Sequence, residues 1–165
     1  VHMRRAHMRI LFEQFLVQTE PSGPNVASQA LLLPEQITLT KAEVMALVEA
    51  KSVLASMGMD LAQVDETTVE LKAVPADLKT HVREALDAVL ATYHDGLWEG
   101  KENRGALWAK AWAQKAAMSS TARLQPEARR HLIQSLWACE QPHVDPMGRS
   151  TMVTLTDTDL ETPFL

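Results

Sequence analysis

The clearest strand in this chain is the stretch TVELKAV, Thr68–Val74, in which apolar and polar residues alternate. Such alternation is typical of a strand that buries one of its two faces. The residues just before it, Leu61–Val64, predict a short partner strand that is joined to it through Asp65 and Glu66. Together these segments predict that a sheet lies in the first half of the chain.

The segments upstream of this pair have helical and extended patterns. The capping box TKAE, Thr40–Glu43, predicts the start of a helix, because the threonine hydroxyl accepts from a backbone N–H while the glutamate reaches back. That helix is expected to end near Gly58. Apolar residues fall at helical spacing over Arg5–Gln18, whereas Ser28–Pro34 and Ile37–Thr40 are predicted to be extended.

The downstream segments are mainly helical by the same criteria. Apolar spacing predicts three further helices, the last of which has proline at its first position, followed by a late strand and a closing helical turn. These five segments are Leu78–Tyr93, Leu107–Trp112, Pro126–Trp137, Ser150–Leu155 and Thr156–Asp159. The sequence therefore predicts a mixed α/β fold of the α+β type, with a mostly helical middle that forms its own lobe.

The composition restricts the classes of protein to which the chain can belong. Its 165 residues suffice for one domain or two small lobes, and a net charge of −5 does not favour generic polyanion binding. The single cysteine, Cys139, excludes a disulfide framework and a four-cysteine zinc site. No apolar run reaches the roughly 20 residues of a membrane span, and no secretion signal is evident.

The reactive residue types do not by themselves identify a reaction. The six histidines include no pair at i, i+4 on one helix, which favours structural roles over a metal site. Cys139 is predicted to be a small buried hydrophobe, and the alternative is a nucleophile with His143 as its base. The tryptophans favour core or interface positions. Arg4, Arg5 and Arg9 favour a solvated face over phosphate contact.

Several separated segments together resemble one family. RRAHMRILFE, Arg4–Glu13, resembles the helix-opening segment of the C-terminal domain of MutL, a DNA mismatch repair protein. QALLLP, Gln29–Pro34, and LKAVP, Leu71–Pro75, resemble that family's next segment and its strand ending in Ala-Val-Pro. The C-terminal part matches in order, with Ala138-Cys139 before a Pro-x-x-x-Pro-x-Gly turn. The resemblance therefore spans nearly the whole chain.

The resemblance implies a homodimerisation domain with two lobes. An outer sheet-and-helix dimerisation lobe, residues 1–40 and 119–165, would be interrupted by an inserted, mostly helical regulatory lobe, residues 41–118. The family's ATPase domain and linker are not expected in this fragment. Pairing would hold two ATPase domains close together and raise their effective concentration for each other.

Many members of this family are metal-dependent endonucleases with the signature Asp-Gln-His-Ala-x-x-Glu-x-x-x-x-Glu. Of its ligands only the last carboxylate, Glu13, is present here, while Arg4 and Met8 stand where a histidine and a glutamate would be. A hard divalent ion needs anionic oxygen or imidazole ligands, which methionine does not supply. His2 and Met3 also depart from the signature, and His-Met near a chain's start is typical of a cloning remnant.

Two further ligand motifs of the family are altered as well. Gln114 stands where a cysteine would be, and DPMGRST, Asp145–Thr151, replaces Cys-Pro-His-Gly-Arg-Pro-Thr. The resemblance therefore implies a domain without catalytic residues, endonuclease activity, bound metal or cofactor. The alternative is a nicking endonuclease with a non-standard metal site built from the remnant candidates Glu13, Asp145 and His143.

The segment QALLLP resembles the family's sliding-clamp-binding motif. Gln29 offers an amide donor and acceptor to a pocket rim, and Leu32 and Leu33 supply apolar anchors. Pro34 limits the conformational freedom that is lost on docking. The alternative is a strand whose leucines face the domain's own core.

The resemblance also implies the partners of the chain. They are a second copy of itself, the replication sliding clamp, DNA through the full-length protein, and the mismatch-recognition protein MutS. A membrane partner is not expected, and the implied location is the bacterial cytoplasm, in association with the nucleoid. A third interpretation is a clamp-binding adaptor that remains monomeric.

Overall fold

The computed structural model describes residues 1–19, 27–76, 83–84, 86–87, 90–91 and 104–155. The described elements, in chain order, are α1 (Met3–Gln18), β1 (Ser28–Thr38), α2 (Lys41–Glu49), α3 (Lys51–Ser56), β2 (Asp60–Gln63), β3 (Thr68–Pro75), α4 (Arg104–Ala116) and α5 (Pro126–Trp137). The predicted mixed α/β class is confirmed. The predicted turn Thr156–Asp159 and most of the predicted helix Leu78–Tyr93 lie outside the described residues. None of the described helices has the length and apolar character to cross a membrane.

The three strands form one antiparallel sheet in the order β1-β3-β2. β3 lies in the middle, and its alternating residues Val69 and Leu71 are buried, as a strand with one covered face requires. The predicted partner strand is confirmed, because β2 pairs with β3 and Leu61 lies opposite Leu71. β1 occupies the other side of β3 and is an edge strand of the described sheet.

A large bulge interrupts the ladder between β1 and β3. Ala30 lies opposite Ala73, but the next paired residue, Glu35, lies opposite Leu71. Four residues of β1 therefore stand against a single residue of β3 and leave the ladder. We call this segment, Leu31–Pro34, the β1 bulge. The ladder between β2 and β3 also shifts at this level of the sheet.

The predicted capping box begins α2. The Glu43 backbone N–H donates to Thr40 Oγ1 at 3.3 Å, and the Thr40 backbone N–H donates to Glu43 Oε2 at 2.8 Å. The helical path is interrupted at Ala50, continues as α3 and ends just before Gly58, whose φ of +83° favours glycine. Both ends of this helical segment are therefore confirmed.

Contacts within the chain divide it into two compact units. The terminal unit comprises Val1–Ile10 and Ala117–Leu165, and the central unit comprises Leu11–Ala116. The sheet and α2 to α4 belong to the central unit, and α5 belongs to the terminal unit. The boundary between the units falls within α1.

The terminal unit is built on a small apolar cluster. Ala6 and Ile10 of α1 pack with Leu132 and Leu136 of α5, and each pair is four residues apart on one helix face. Partly buried side chains surround this cluster: Met3, Met118, Leu124, Cys139 and Met152. Cys139 thus packs against the cluster, but it is half-buried and not buried as predicted.

The central unit contains an aromatic cluster. Trp108 and Trp112 are fully buried on α4, and their ring centroids lie 5.9 Å apart at an interplanar angle of 82°. Phe15 meets Trp112 in the same edge-to-face arrangement at 6.0 Å, which is a favoured geometry for aromatic pairs. The core position predicted for tryptophans is therefore confirmed for Trp108 and Trp112.

The late strand predicted over Ser150–Leu155 is not formed. Ser150 makes an isolated bridge to Val144, and the residues after Thr151 have no regular structure as far as the description extends. A strand needs a neighbouring backbone to satisfy its N–H and C=O groups. Apart from bonds within the turn that precedes it, the described segment 150–155 makes one backbone hydrogen bond, in which His2 N–H donates to Thr151 O at 2.7 Å.

Candidate functional site

The β1 bulge exposes the two leucines that resemble clamp-binding anchors. Leu32 is 102% exposed and Leu33 is 83% exposed, although the paired residues on both sides of the bulge hold the strand against β3. The alternative prediction, that these leucines face the domain's own core, is wrong for both. The sheet holds this segment at both of its ends, and its two adjacent leucines are uncovered. Such a pair can fill an apolar pocket on a partner protein.

The polar and rigid ends of the same segment are also accessible. Gln29 lies just before the bulge, pairs with Val74 through the ladder and has an exposed side chain. Pro34 ends the bulge, is exposed and has no N–H to donate to a ladder. The structure thus brings all four predicted clamp-binding residues, Gln29, Leu32, Leu33 and Pro34, onto one exposed segment.

The remnant metal candidates lie in two places along the chain. Asp145 and His143 lie in the turn after α5, and Glu13 lies on α1. His143 is exposed and its ring meets Trp137 at 5.7 Å. Within the described ranges, no group of three or more His, Cys, Asp or Glu side chains is arranged to hold a metal ion.

Asp145 is fully engaged in hydrogen bonds to its own turn. It is buried, and its Oδ1 accepts from the backbone N–H groups of Met147 and Arg149, both at 2.9 Å. Its Oδ2 contacts Arg149 Nε at 2.8 Å and Arg149 Nη2 at 2.7 Å. A carboxylate has about four acceptor positions, so these contacts leave none for a cation. The Asp145 carboxylate, which is already occupied, and the Met147 thioether are therefore not suitable ligands for a hard divalent ion.

The same turn is attached to the start of α1 by arginines. Arg9 is 5% exposed, and its Nε donates to Val144 O at 2.6 Å. Arg5 Nη1 donates to Ser150 O at 2.9 Å. The predicted solvated face is therefore wrong for Arg9, because its guanidinium satisfies a turn carbonyl instead of facing water. Arginine side chains thus hold the turn Asp145–Thr151. This is the segment that aligns with the family's motif Cys-Pro-His-Gly-Arg-Pro-Thr.

Burial by itself would raise the pKa of Asp145. The backbone amides of Arg149 and Met147 and the Arg149 guanidinium outweigh this effect and hold the pKa of Asp145 below its ordinary value. Since the pKa is lower in the folded chain, the carboxylate stabilises the fold fully above about pH 4. That contribution is lost as the pH falls through the lowered pKa.

The variant Asp145→Asn is expected to lower the free energy of unfolding at pH 7 by about 1.5–3 kcal/mol, since it removes hydrogen bonds to a charged, buried acceptor. It should also reduce the loss of stability on acidification below about pH 4. Urea unfolding at pH 7 and pH 3 measures both effects. Glu127→Gln, which alters an exposed carboxylate on α5, is the control. Unchanged stability and unchanged acid sensitivity in Asp145→Asn would contradict this assignment.

The terminal unit also carries exposed apolar residues that the sequence analysis did not identify. Val1 and Ile133 line an open groove of about 390 Å³ with Met3, Leu132 and Arg129. Val153 and Leu155 are 76% and 63% exposed. We call Val1, Ile133, Val153 and Leu155 the terminal apolar face. The alternating pattern over Ser150–Leu155 was the one sequence feature that pointed to this face. Alternation predicts which residues share a side, but it does not show whether another part of the protein covers that side.

Comparison with known proteins gives one consistent family. A family model described as the MutL C terminal dimerisation domain matches residues 1–124. The chain is similar to the DNA mismatch repair protein MutL of Flavobacterium johnsoniae, with 26% identity over 165 residues that cover 99% of this chain and 25% of that protein. It is also similar to the MutL proteins of Chloroherpeton thalassium (31% identity over 160 residues, 96% and 25% coverage) and Parabacteroides distasonis (28% over 172 residues, 99% and 26%).

The chain spans about a quarter of the length of these curated relatives. The family match covers well over half of the chain, and it includes α1, the β1 bulge and the whole described sheet. It also agrees with the resemblance carried by Arg4–Glu13 and Gln29–Pro34. The chain therefore belongs to the family of MutL C-terminal dimerisation domains.

Proposed function

We propose that this chain pairs two copies of a MutL-type mismatch repair protein, recruits them to a sliding clamp and does not itself cut DNA. Pairing rests on the terminal apolar face. Met152 packs on the apolar cluster of the terminal unit, whereas the next residue, Val153, points its side chain into solvent. One side of this segment therefore covers the unit's own core, and the other side is left for a partner.

A second copy of the same chain is the partner that fits this face. The family is a dimerisation domain, and closed dimers form when one patch meets its own copy about a two-fold axis. The bond from His2 N to Thr151 O joins the two chain segments that carry Val1 and Val153, and we infer that the exposed apolar residues of these segments belong to one surface. Apolar surface of this kind is stabilised by burial in an interface.

Sedimentation at micromolar protein tests this pairing. The expected species has twice the 18.3 kDa mass of one chain. A species that stays monomeric throughout would contradict the pairing and would favour the clamp-binding adaptor. In the full-length protein the dimer would hold two ATPase domains close together on DNA, and the complex would act with the mismatch-recognition protein MutS.

The two lobes of the family correspond best to the two compact units of this chain. We assign the outer dimerisation lobe, predicted at residues 1–40 and 119–165, to the terminal unit, which carries the apolar face. We assign the regulatory lobe, predicted at residues 41–118, to the central unit. The pairing of β1 with β3 supports placing the clamp-binding segment in the regulatory lobe.

Clamp binding is carried by the exposure of the β1 bulge. A partner pocket would receive Leu32 and Leu33, while Gln29 would bond to its rim. The segment is already extended and anchored at both ends, so little backbone entropy is lost on docking. The clamp would thereby bring the paired protein to newly replicated DNA.

We propose that the protein does not nick DNA because the side chains at the family's metal-ligand positions do not suit a hard cation. Asp145 has no acceptor position left, and Met8 and Met147 offer thioethers where a hard cation needs oxygen or imidazole. No cofactor is required for the proposed role. The competing function is a manganese- or zinc-activated endonuclease that uses Glu13.

Supercoiled plasmid is therefore expected to remain intact on incubation with this protein and Mn²⁺ or Zn²⁺. Glu13→Ala should behave like the original chain, because Glu13 is not assigned a role in cutting. Agarose gels score conversion to the relaxed circle, and a MutL with the complete endonuclease signature is the positive control. Metal-dependent relaxation that Glu13→Ala abolishes would establish the endonuclease instead.

A further inference from the structure

The helix α5 carries an exposed row of side chains beside the two leucines that pack into the terminal unit. Leu132 and Leu136 are its buried residues. Arg129, Ile133 and Trp137 are exposed and follow each other at intervals of four residues. Residues four apart lie on the same side of a helix, so these three side chains form one row. We call Arg129, Ile133 and Trp137 the α5 row.

The α5 row adjoins the terminal apolar face. Arg129 and Ile133 line the groove of about 390 Å³ that Val1 also lines. Trp137 lies one helical turn beyond Ile133 and is 57% exposed. A partner that covers the groove would therefore also meet the rest of the row.

The two ends of the row have complementary chemistry. Arg129 Nε donates to Leu124 O at 2.9 Å, and within the described ranges no carboxylate pairs with this guanidinium. More than half of the Trp137 side chain remains uncovered, although the His143 ring meets it edge-to-face at 5.7 Å. A guanidinium is attracted to the face of a tryptophan ring, and this attraction grows when both groups leave water. A partner that fits the row presents an aromatic ring to Arg129 and a cation to Trp137.

A second copy of the row meets this requirement when it runs in the opposite direction. About a two-fold axis near Ile133, Arg129 of each copy would then face Trp137 of the other. The two Arg129 positions would lie about 12 Å apart along the helix, because each is four residues from the axis. In a parallel pair each Arg129 would lie beside its own copy, and like charges brought together in an interface oppose association.

We propose that two copies of this chain pair through antiparallel α5 helices, with Ile133 near the two-fold axis and Arg129 of each copy stacked on Trp137 of the other. This inference rests on the proposed pairing through the terminal apolar face, and it names the direction and the central contacts of that pairing. Tryptophan and arginine are among the residue types that contribute most to binding in interfaces. It also gives Trp137 the interface position that its residue type favours.

A charge exchange within the row tests the direction of pairing. Trp137→Arg is expected to raise the dissociation constant of the dimer at least about 30-fold, because it removes a large anchor and places two guanidinium groups together. Adding Arg129→Trp should restore the dissociation constant to within about fivefold of the original, since the antiparallel pair again joins an arginine to a tryptophan. Arg130→Trp, at an exposed position of α5 outside the row, is the matched control and should not restore pairing. Sedimentation equilibrium measures each dissociation constant, and thermal unfolding checks that each variant is folded.

Spin labels outside the row measure the same direction without altering it. Glu127 and Gln134 are exposed and seven residues apart, so they lie on the same side of α5. In a Cys139→Ser background, Glu127→Cys and Gln134→Cys each carry one nitroxide label per chain, and pulsed electron paramagnetic resonance gives the distance between the two copies of each label. The antiparallel pair separates the two copies of residue 127 by about 18 Å along the helix and those of residue 134 by about 3 Å. The distance between labels should therefore be longer at residue 127 than at residue 134.

Three outcomes would overturn the inference: undiminished pairing in Trp137→Arg, no restoration by Arg129→Trp beyond that of the Arg130→Trp control, or equal label distances at residues 127 and 134. If Val153→Asp produces monomers but any of these outcomes is found, pairing through the terminal apolar face stands and the antiparallel arrangement of α5 fails. A chain that is monomeric at every concentration would contradict the proposed pairing itself. The two claims are therefore tested separately.

Discussion

Val153→Asp is expected to convert the paired protein into monomers. Val153 is 76% exposed in the single chain, so the substitution leaves the fold intact but places a charge in the proposed interface. Burying an unpaired carboxylate is unfavourable, and truncating a central apolar contact costs about 2–4 kcal/mol of binding. The dissociation constant of the dimer should therefore rise roughly 30-fold to 700-fold. Sedimentation equilibrium over a dilution series measures this shift.

The matched control is Met45→Asp, which adds the same charge at an exposed apolar residue of α2 in the central unit. It should leave the dimer unchanged. Equal weakening by both variants would indicate a general effect of charge, and no weakening by Val153→Asp would place the two-fold surface elsewhere on the chain. Thermal unfolding of both variants checks that each is folded.

The double variant Leu32→Ser/Leu33→Ser is expected to abolish binding to a bacterial sliding clamp. Both side chains are exposed, so the stability of the domain should be unchanged. Buried leucine anchors each contribute on the order of 2 kcal/mol at the centre of an interface, and losing both should weaken binding more than about 100-fold. Gln29→Ala should have a smaller effect, since one rim hydrogen bond contributes about 1 kcal/mol. Surface plasmon resonance with immobilised clamp measures these affinities.

Val64→Ser is the control for this experiment, because Val64 is an exposed apolar residue of the same unit that lies outside the bulge. It should bind the clamp like the original chain. Clamp binding that survives the double variant would show that the bulge is not the docking segment. Clamp binding by a protein that is monomeric at every concentration would support the adaptor interpretation.

The parts of the fold that local chemistry determines were predicted correctly. The capping box of Thr40 and Glu43 requires only neighbouring residues, and its two hydrogen bonds are present. The alternation of Thr68–Val74 predicted the central strand for the same reason, since burying one face repeats every second residue. Pro126 begins α5 because its fixed φ suits the first turn of a helix.

The features that depend on distant residues were not predicted. The β1 bulge exists because two halves of one strand match different registers of β3, and no local pattern in QALLLP reports that pairing. The burial of Arg9 depends on Val144, a residue 135 positions away. The predicted strand over Ser150–Leu155 failed because alternation describes a side-chain pattern, whereas a strand also requires a partner backbone.

The candidate clamp-binding segment stays a prediction. Its four residues were selected from their type and order, and the structure adds that all four are exposed. The sequence also suggested that the metal ligands were lost, but it gave no indication that Arg149 occupies the carboxylate of Asp145. Such replacements are contacts between side chains, which spacing alone does not reveal.

Amide hydrogen exchange at protein concentrations above and below the dimer midpoint is the most direct test of pairing through the terminal apolar face. The account predicts that exchange slows at the higher concentration in residues 150–155 and in the turn of α5 that carries Ile133, with no change in α2. Exchange that is independent of concentration throughout the chain, or that slows only in the central unit, would contradict it.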